Sequence, residues 1–248
     1  MSEKSSNPDT TAYRIELWNK EYGERKNLPS THATPDHPSR AFRTAVEELD
    51  DIDHSLLLDL GAGNFRNSIW AVKEAGFIRA VGVEFSTVAT ELAQFSIVEN
   101  NVQDAITVLN QSVGEPLSLD DGSVSFALDM MTMHSLVPED RITMATEVQR
   151  VMKPGAYFVF YTVAGLESYE GEKTAFGDLV ENSPGPEEGS YRFEVEGDIV
   201  TEKGFTESEL RELFPSMDIV KLEPRVEFTE AFGDVYKRVY YFGIFQKR

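Results

Sequence analysis

The sequence has no cysteine. That excludes a disulfide scaffold, an iron–sulfur protein, a thiolate zinc site and a cysteine nucleophile. Histidine is scarce: His32, His37, His54 and His134 are too scattered for an HxxxH or HExxH metal motif, so no metal site is expected. No apolar run approaches the length of about 18 residues needed to span a bilayer, and the start, MSEKSSNPDTTAYR, is polar without a secretory core. A cytoplasmic protein with no membrane partner is therefore expected. Positive charge is also short, with 23 Lys and Arg against 43 Asp and Glu and a net charge of −20. Such a surface repels phosphate backbones, and no basic run offsets it, so no nucleic-acid partner is expected.

What is present is enough for a full core. At 248 residues and 41% apolar composition, the chain suits one domain that buries about 70–75% of its unfolded surface. Residues 1–12 have the composition of a disordered tail. A short helix follows over 13–23, with Tyr13, Leu17 and Trp18 along one side. A Pro-rich loop at 27–39 leads to a helix at 40–49.

The middle of the chain alternates between two periodicities. Apolar runs at 55–60, 80–85, 105–109, 124–130 and 156–162 are separated by segments of helical period. Pro138, Glu139 and Asp140 open one helix, and Pro154-Gly155 is expected to stop it. Strands that are apolar throughout, rather than alternating, belong to a parallel sheet covered on both faces. The expected class is α/β, doubly wound. After 162 the composition turns to Gly, Glu, Ser and Pro. A hairpin is expected around Gly197-Asp198, a Thr206/Glu209 capping box opens a helix through Phe214, and strand-like segments at 218–222 and 239–245 close the chain.

The segment LLLDLGAGNFRNS (56–68) runs from a strand through Gly61-Ala62-Gly63 into a helix. Glycines there let the backbone turn tightly and let a ligand approach the helix start, where such sheets bind nucleotides. A dinucleotide fingerprint needs glycine at position 66, and Arg66 stands there, which disfavours an NAD-dependent oxidoreductase. No Gly-Lys-Ser/Thr follows, so a triphosphate cradle is excluded. Glu84 closes the second run, where a carboxylate accepts hydrogen bonds from both hydroxyls of a ribose.

Together, Asp59 to Gly63, Glu84, DDGSVSFALDMMTMHSL (120–136) and EVQRVMKPGAYFVF (147–160) resemble the class I S-adenosylmethionine-dependent methyltransferases, and most closely the type 11-like small-molecule group. GAGNFRNS (61–68) and FTESELRELF (205–214) are more distantly similar to the tellurite-resistance and thiopurine methyltransferases. The resemblance implies a Rossmann-like sheet of seven mostly parallel strands with an antiparallel C-terminal strand, and S-adenosylmethionine as cofactor with S-adenosylhomocysteine as product. It implies that Asp59 orients the loop and faces the methionine part, that Gly61, Ala62 and Gly63 pass beneath it, that Glu84 binds the ribose and that Phe85 lies along the adenine. Asp129 would sit beside the methionyl end. Ser112 or Val113 stands where the family usually has an adenine-binding Asp.

Other residues keep two readings each. Asp59 and Asp129 also suit strand-end caps. Trp18 and Tyr22 fit either a segment laid over the cofactor or a helix on the flank of the sheet. His134 is the candidate catalytic base or a support for its loop, and His32 and His37 reach the pocket if their segment folds over it. Met130, Met131 and Met133 either line an acceptor pocket or fill core. Residues 1–39 are expected as tail and cofactor-covering segment, and 40–248 as the methyltransferase domain, with 163–205, carrying Tyr169, Phe176 and Tyr191, as a substrate-covering insertion. The expected function is methyl transfer to a small-molecule acceptor. The alternatives are transfer to RNA or protein with a partner's help, or a non-catalytic domain that binds the cofactor.

Overall fold

A computed structural model describes residues 7–23, 37–231 and 234–248, with 229–231 and 234–236 described by their backbone alone. His32 lies outside the described residues. In chain order the elements are α1 (Thr11–Gly23), α2 (Arg40–Glu48), β1 (Leu57–Leu60), α3 (Arg66–Lys73), β2 (Ala80–Val83), α4 (Thr87–Glu99), β3 (Ile106–Leu109) and β4 (Val124–Met130). A 3-10 turn at Met133–Ser135 precedes α5 (Pro138–Val151) and β5 (Met152–Val163). The rest is β6 (Ser168–Tyr169), β7 (Glu172–Lys173), α6 (Ala175–Asn182), β8 (Ser190–Val195), β9 (Asp198–Lys203), α7 (Glu207–Leu213), β10 (Met217–Ala231) and β11 (Asp234–Lys247).

The main sheet has the order β10-β11-β5-β4-β1-β2-β3. Strands β1 to β5 are parallel, and β11 runs antiparallel to both β5 and β10. This is the doubly wound α/β class that continuous apolar strands imply: β1 and β2 are buried at every position. On one face Leu58, Leu60, Phe158 and Phe160 pack with Val148 of α5 and with Leu210 and Phe214 around α7. On the other, Leu57, Phe126 and Leu128 pack with Phe42 of α2, Ala71 of α3 and Ile97 of α4. Burying a side chain such as Phe42 or Phe126 stabilises the fold by about 1.5–3 kcal/mol.

The chain leaves β1 toward β2 and β3 on one side and returns through β4 and β5 on the other. That reversal opens a crevice at the carboxyl ends of β1 and β4, where open α/β sheets bind ligands.

Four expectations need correction. Residues 7–12 do not trail as a free tail: Asp9 accepts from Arg192 at 2.5 Å and the Thr11 hydroxyl donates to Asp140 at 2.7 Å. Pro154-Gly155 lies within β5 rather than before it, because the strand begins at Met152 opposite Val124 and bulges outward before Tyr157 meets Phe126. The turn of the β8–β9 hairpin is Glu196-Gly197, both at positive φ (50° and 85°), the two-residue form that matches strand twist. The C-terminal strands are far longer than their apolar centres and pair from Met217/Lys247 to Ala231/Asp234. The Thr206/Glu209 capping box is present at the start of α7.

Candidate active site

A cavity of about 390 Å³ opens at the carboxyl edge of β1, β2 and β4. The turn after β1 makes its floor. Gly61 and Gly63 have φ of +64° and +56°, the left-handed region that glycine adopts without strain. Space confirms the requirement at both positions: a Cβ at 61 would collide with the side chain of Thr132, and one at 63 with the hydroxyl of Tyr22. The turn is therefore packed between the β4 loop and α1.

Glu84, at the end of β2, is buried yet borders the cavity. Its carboxylate accepts from the Gly63 N–H at 2.9 Å and the Ser86 N–H at 2.7 Å. Burial pushes its ionisation up to about 7 against the pull of those two bonds. A half-neutral carboxyl of this kind is ready to be ionised by a positively charged ligand.

Asp59 and Asp129 are buried at the ends of β1 and β4. Neither is among the residues bordering the cavity. The Asp59 carboxylate accepts from the Ser68 hydroxyl at 2.7 Å and so ties β1 to α3. Asp129 accepts from the backbone N–H of Thr132 at 2.9 Å and of Met133 at 3.1 Å, closing the turn after β4. Burial raises Asp59 to about 6 and Asp129 to about 7. Both thus hold loops next to the cavity.

Helix α1 roofs the cavity. Trp18 and Tyr22 border it, and Tyr22 is buried over Gly63. Helix α1 is anchored at several points. The Ser86 hydroxyl donates to Asn19 Oδ1 at 2.8 Å. Arg14 donates to the carbonyls of Ser135 and Thr201, Lys20 pairs with Asp198 at 2.7 Å, and the Tyr13 hydroxyl accepts from the Ile199 N–H at 2.8 Å. Three of those partners lie on the β8–β9 hairpin. No described residue of 164–205 borders the cavity. The insertion's hairpin anchors α1; Phe176 and Tyr191 pack with Val163 and Tyr240, and Tyr169 is part-buried against the core.

These are a ligand crevice at a topological switch point, a glycine turn beneath it and an acid closing the second strand. Residues 57–155 match the family model of the methyltransferase domain. Those residues, which include the turn beneath the crevice and the strands around it, are therefore similar to a methyltransferase domain. The solved structures agree in fold. An S-adenosylmethionine-dependent methyltransferase from Methanosarcina mazei is 22% identical, with a TM-score of 0.66 over 85% of this chain and 98% of that one. The 1,6-didemethyltoxoflavin N1-methyltransferase of Burkholderia thailandensis, solved with its substrate and S-adenosylhomocysteine, is 16% identical, with a TM-score of 0.61 over 100% of this chain and 93% of that one. The cyclase SpnF is 13% identical, with a TM-score of 0.67 over 95% and 96%. Among curated protein sequences none is similar enough to match.

Within the methyltransferase domain, Phe85 and Val113 border the cavity, as does Ala62. Ser112 does not; its hydroxyl accepts from the Gly114 N–H at 3.0 Å and shapes the turn. Met130 and Met131 border the cavity, whereas Met133 fills core. His37 borders it. His134, the sequence candidate for the base, does not: it is buried behind the wall, with Nε2 3.6 Å from Glu202 Oε1. Glu202 in turn contacts Arg238 and the Tyr191 hydroxyl. Burial alone would raise the Glu202 carboxyl, but Arg238 and the bonds from His134 and Tyr191 outweigh it and hold it well below the usual range. His134 thus meets a buried cluster from the β8–β9 hairpin and β11.

The sequence reading missed Arg40, Arg66, Thr132, Tyr161, Glu227 and Tyr240, all of which border the cavity. Tyr161 carried a weak signal as a polar-tipped aromatic ending an apolar strand. Glu227 carried none. No helix among the described residues is long and apolar enough to cross a membrane, and no three His, Asp or Glu side chains there gather as a metal site.

Proposed function

We propose that this methyltransferase domain transfers a methyl group from S-adenosylmethionine to a small-molecule acceptor by in-line displacement. The residues present fit the cofactor. The glycine turn borders the cavity beside Glu84, a carboxylate suited to a ribose and to a cationic ligand and unsuited to a pyrophosphate. When bound, the cofactor supplies an electrophilic methyl carbon on a sulfonium, a reaction that asks the protein mainly to align donor and acceptor and to exclude water.

In this reading Gly61, Ala62 and Gly63 lie beneath the methionine and ribose parts, Glu84 accepts from the ribose hydroxyls, and Phe85 and Val113 flank the adenine. Asp59 and Asp129 act through the loops they hold. Arg66 borders the cavity at the start of α3 and suits the methionine carboxylate. Trp18 and Tyr22 cover the cofactor from α1.

The observation that carries the small-molecule reading is the roof. Helix α1 is tied to the start of α4 and to the β8–β9 hairpin over a cavity of about 390 Å³, a size that suits ligands rather than chains. Calorimetry with S-adenosylmethionine and S-adenosylhomocysteine, followed by assay of S-adenosylhomocysteine release with small acceptors, tests it. Glu84→Ala should weaken cofactor binding by about 100-fold, the effect of losing charge-assisted hydrogen bonds worth about 1.5–3 kcal/mol each. Unchanged affinity would overturn the site. Tight binding with transfer only to protein or RNA would overturn the acceptor class.

A further inference from the structure

The far end of the cavity is built by the C-terminal hairpin, and its chemistry differs from that of the glycine turn. Strand β5 pairs with β11 only as far as Val163 opposite Tyr240, while β10 and β11 continue to pair beyond that point. Residues past Arg225 and before Tyr240 thus overhang the carboxyl edge of the sheet, and Glu227 is on that overhang. The Tyr161 hydroxyl, from the end of β5, donates to Glu227 Oε1 at 2.7 Å. The ring of Tyr161 stacks on that of Tyr240, with centroids 5.1 Å apart and planes 20° from parallel. Tyr161, Tyr240 and Glu227 border the cavity together with Met130 and Met131.

Glu227 is the carboxylate at this end with an oxygen to spare. Both of its contacts are on Oε1, and Oε2 has no partner among the described residues. Among the described residues, no other charged group facing this end neutralises it at hydrogen-bond range, and Arg238, opposite Glu227 in the register, is taken by Glu202 and the Tyr191 hydroxyl. Arg40 Nη2 is 3.9 Å from Oε1 on a largely exposed side chain, and the Arg225 guanidinium lies over the Phe242 ring at 3.9 Å. Burial, and next Glu227 itself, push the Tyr161 hydroxyl well above its ordinary ionisation, so it stays protonated and keeps donating. Glu84 is occupied by two backbone N–H groups, and His134 is behind the wall.

We propose that Glu227 is the catalytic base of this cavity, that Tyr161 is its positioning residue, and that the acceptor is a flat ring compound methylated on a nitrogen or oxygen that carries a proton. This rests on the methyl-transfer reading above. The stacked tyrosines and the two thioethers give an aromatic, polarizable wall for a ring. A carboxylate beside the reacting atom repels anionic acceptors such as thiolates or halides, which need no base in any case. In the step, the acceptor nitrogen or oxygen bonds to the methyl carbon as the carbon–sulfur bond breaks with its electron pair left on sulfur. The proton lost by the acceptor passes to Glu227 Oε2.

The test compares benzimidazole and 2-naphthol, a ring N–H and a ring O–H, with thiophenol and iodide, following S-adenosylhomocysteine release. The wild-type protein should methylate at least one ring acceptor in preference to thiophenol and iodide. Glu227→Gln, a near-isosteric change on a part-exposed strand, should slow that turnover by about 100-fold or more while cofactor affinity is unchanged. Tyr161→Phe should lower kcat with the ring acceptor while KM for the cofactor is unchanged, since the carboxylate loses the hydroxyl that holds it in place. Independently of turnover, calorimetric binding of the ring acceptor to the protein loaded with S-adenosylhomocysteine should weaken in Glu227→Gln. A preference for thiophenol or iodide, a Glu227→Gln variant at wild-type rate, or a cofactor-binding protein that neither binds nor methylates a ring acceptor would each overturn the proposal. Failure to bind the cofactor at all would instead overturn the methyl-transfer reading, and this proposal with it.

Discussion

The hydroxyl of Tyr22 rests where a Cβ of residue 63 would have to be. One contact thus joins the roof helix to the glycine turn, and the turn in turn donates its N–H to Glu84. Gly63→Ala should destabilise the protein by about 2–4 kcal/mol, combining a left-handed alanine with the collision. Tyr22→Phe in that background removes the colliding atom and should recover part of the loss while leaving the backbone strain. Urea denaturation of the four proteins in the cycle measures the coupling, and equal effects of Tyr22→Phe in both backgrounds would disprove the contact.

The three buried acids make the empty and loaded proteins respond differently to pH. Burial raises Asp59 to about 6, and Glu84 and Asp129 to about 7. A carboxyl whose folded pKa lies above its unfolded value of about 4 contributes stability that is complete at low pH and lost as pH rises through the folded value. The melting temperature of the cofactor-free protein should accordingly fall from these groups between about pH 5 and pH 7.5. A sulfonium and an ammonium favour the ionised forms, so cofactor binding at about pH 6 should release protons and tighten as pH rises. Calorimetry in buffers of different ionisation enthalpy reads the proton count; net uptake would contradict this account.

Arg14 is buried at 6% exposure and its Nη1 donates to two neighbouring carbonyls, of Ser135 and Thr201. Burial lowers its ionisation only to about 10, so it remains charged. Arg14→Ala removes two charge-assisted bonds, each worth about 1.5–3 kcal/mol, from the docking of the roof. Cofactor affinity should drop by about tenfold or more. Hydrogen exchange should quicken along α1 and not in β1 or β4. Uniform quickening would mean that Arg14 serves the whole fold.

His134→Ala should leave methyl transfer close to wild type, because the ring faces Glu202 rather than the cavity. It should cost about 1–3 kcal/mol of stability by leaving part of a buried polar cluster unpaired. A large loss of kcat at unchanged stability would return His134 to the chemistry.

The strand runs, the glycine turn and Glu84 were legible in the sequence because each depends on neighbours a few positions away: an apolar run, a tight turn, an acid at a strand end. The types of Asp59 and Asp129 were legible too, but not the direction of their side chains, which Ser68 and the N–H groups of Thr132 and Met133 decide. The surroundings of His134 were hidden for the same reason, since its position after β4 is local but its partner Glu202 arrives from a hairpin much later in the chain.

The sequence by itself determined the α/β class, the glycine turn after the first strand and the absence of thiol chemistry, all consequences of composition and short-range pattern. Tertiary structure alone decided what lies opposite the turn. Tyr161 and Glu227 are 66 residues apart and meet only because β11 pairs with both β5 and β10 and carries the hairpin past the edge of the sheet. No local periodicity encodes a contact made across two strand pairings.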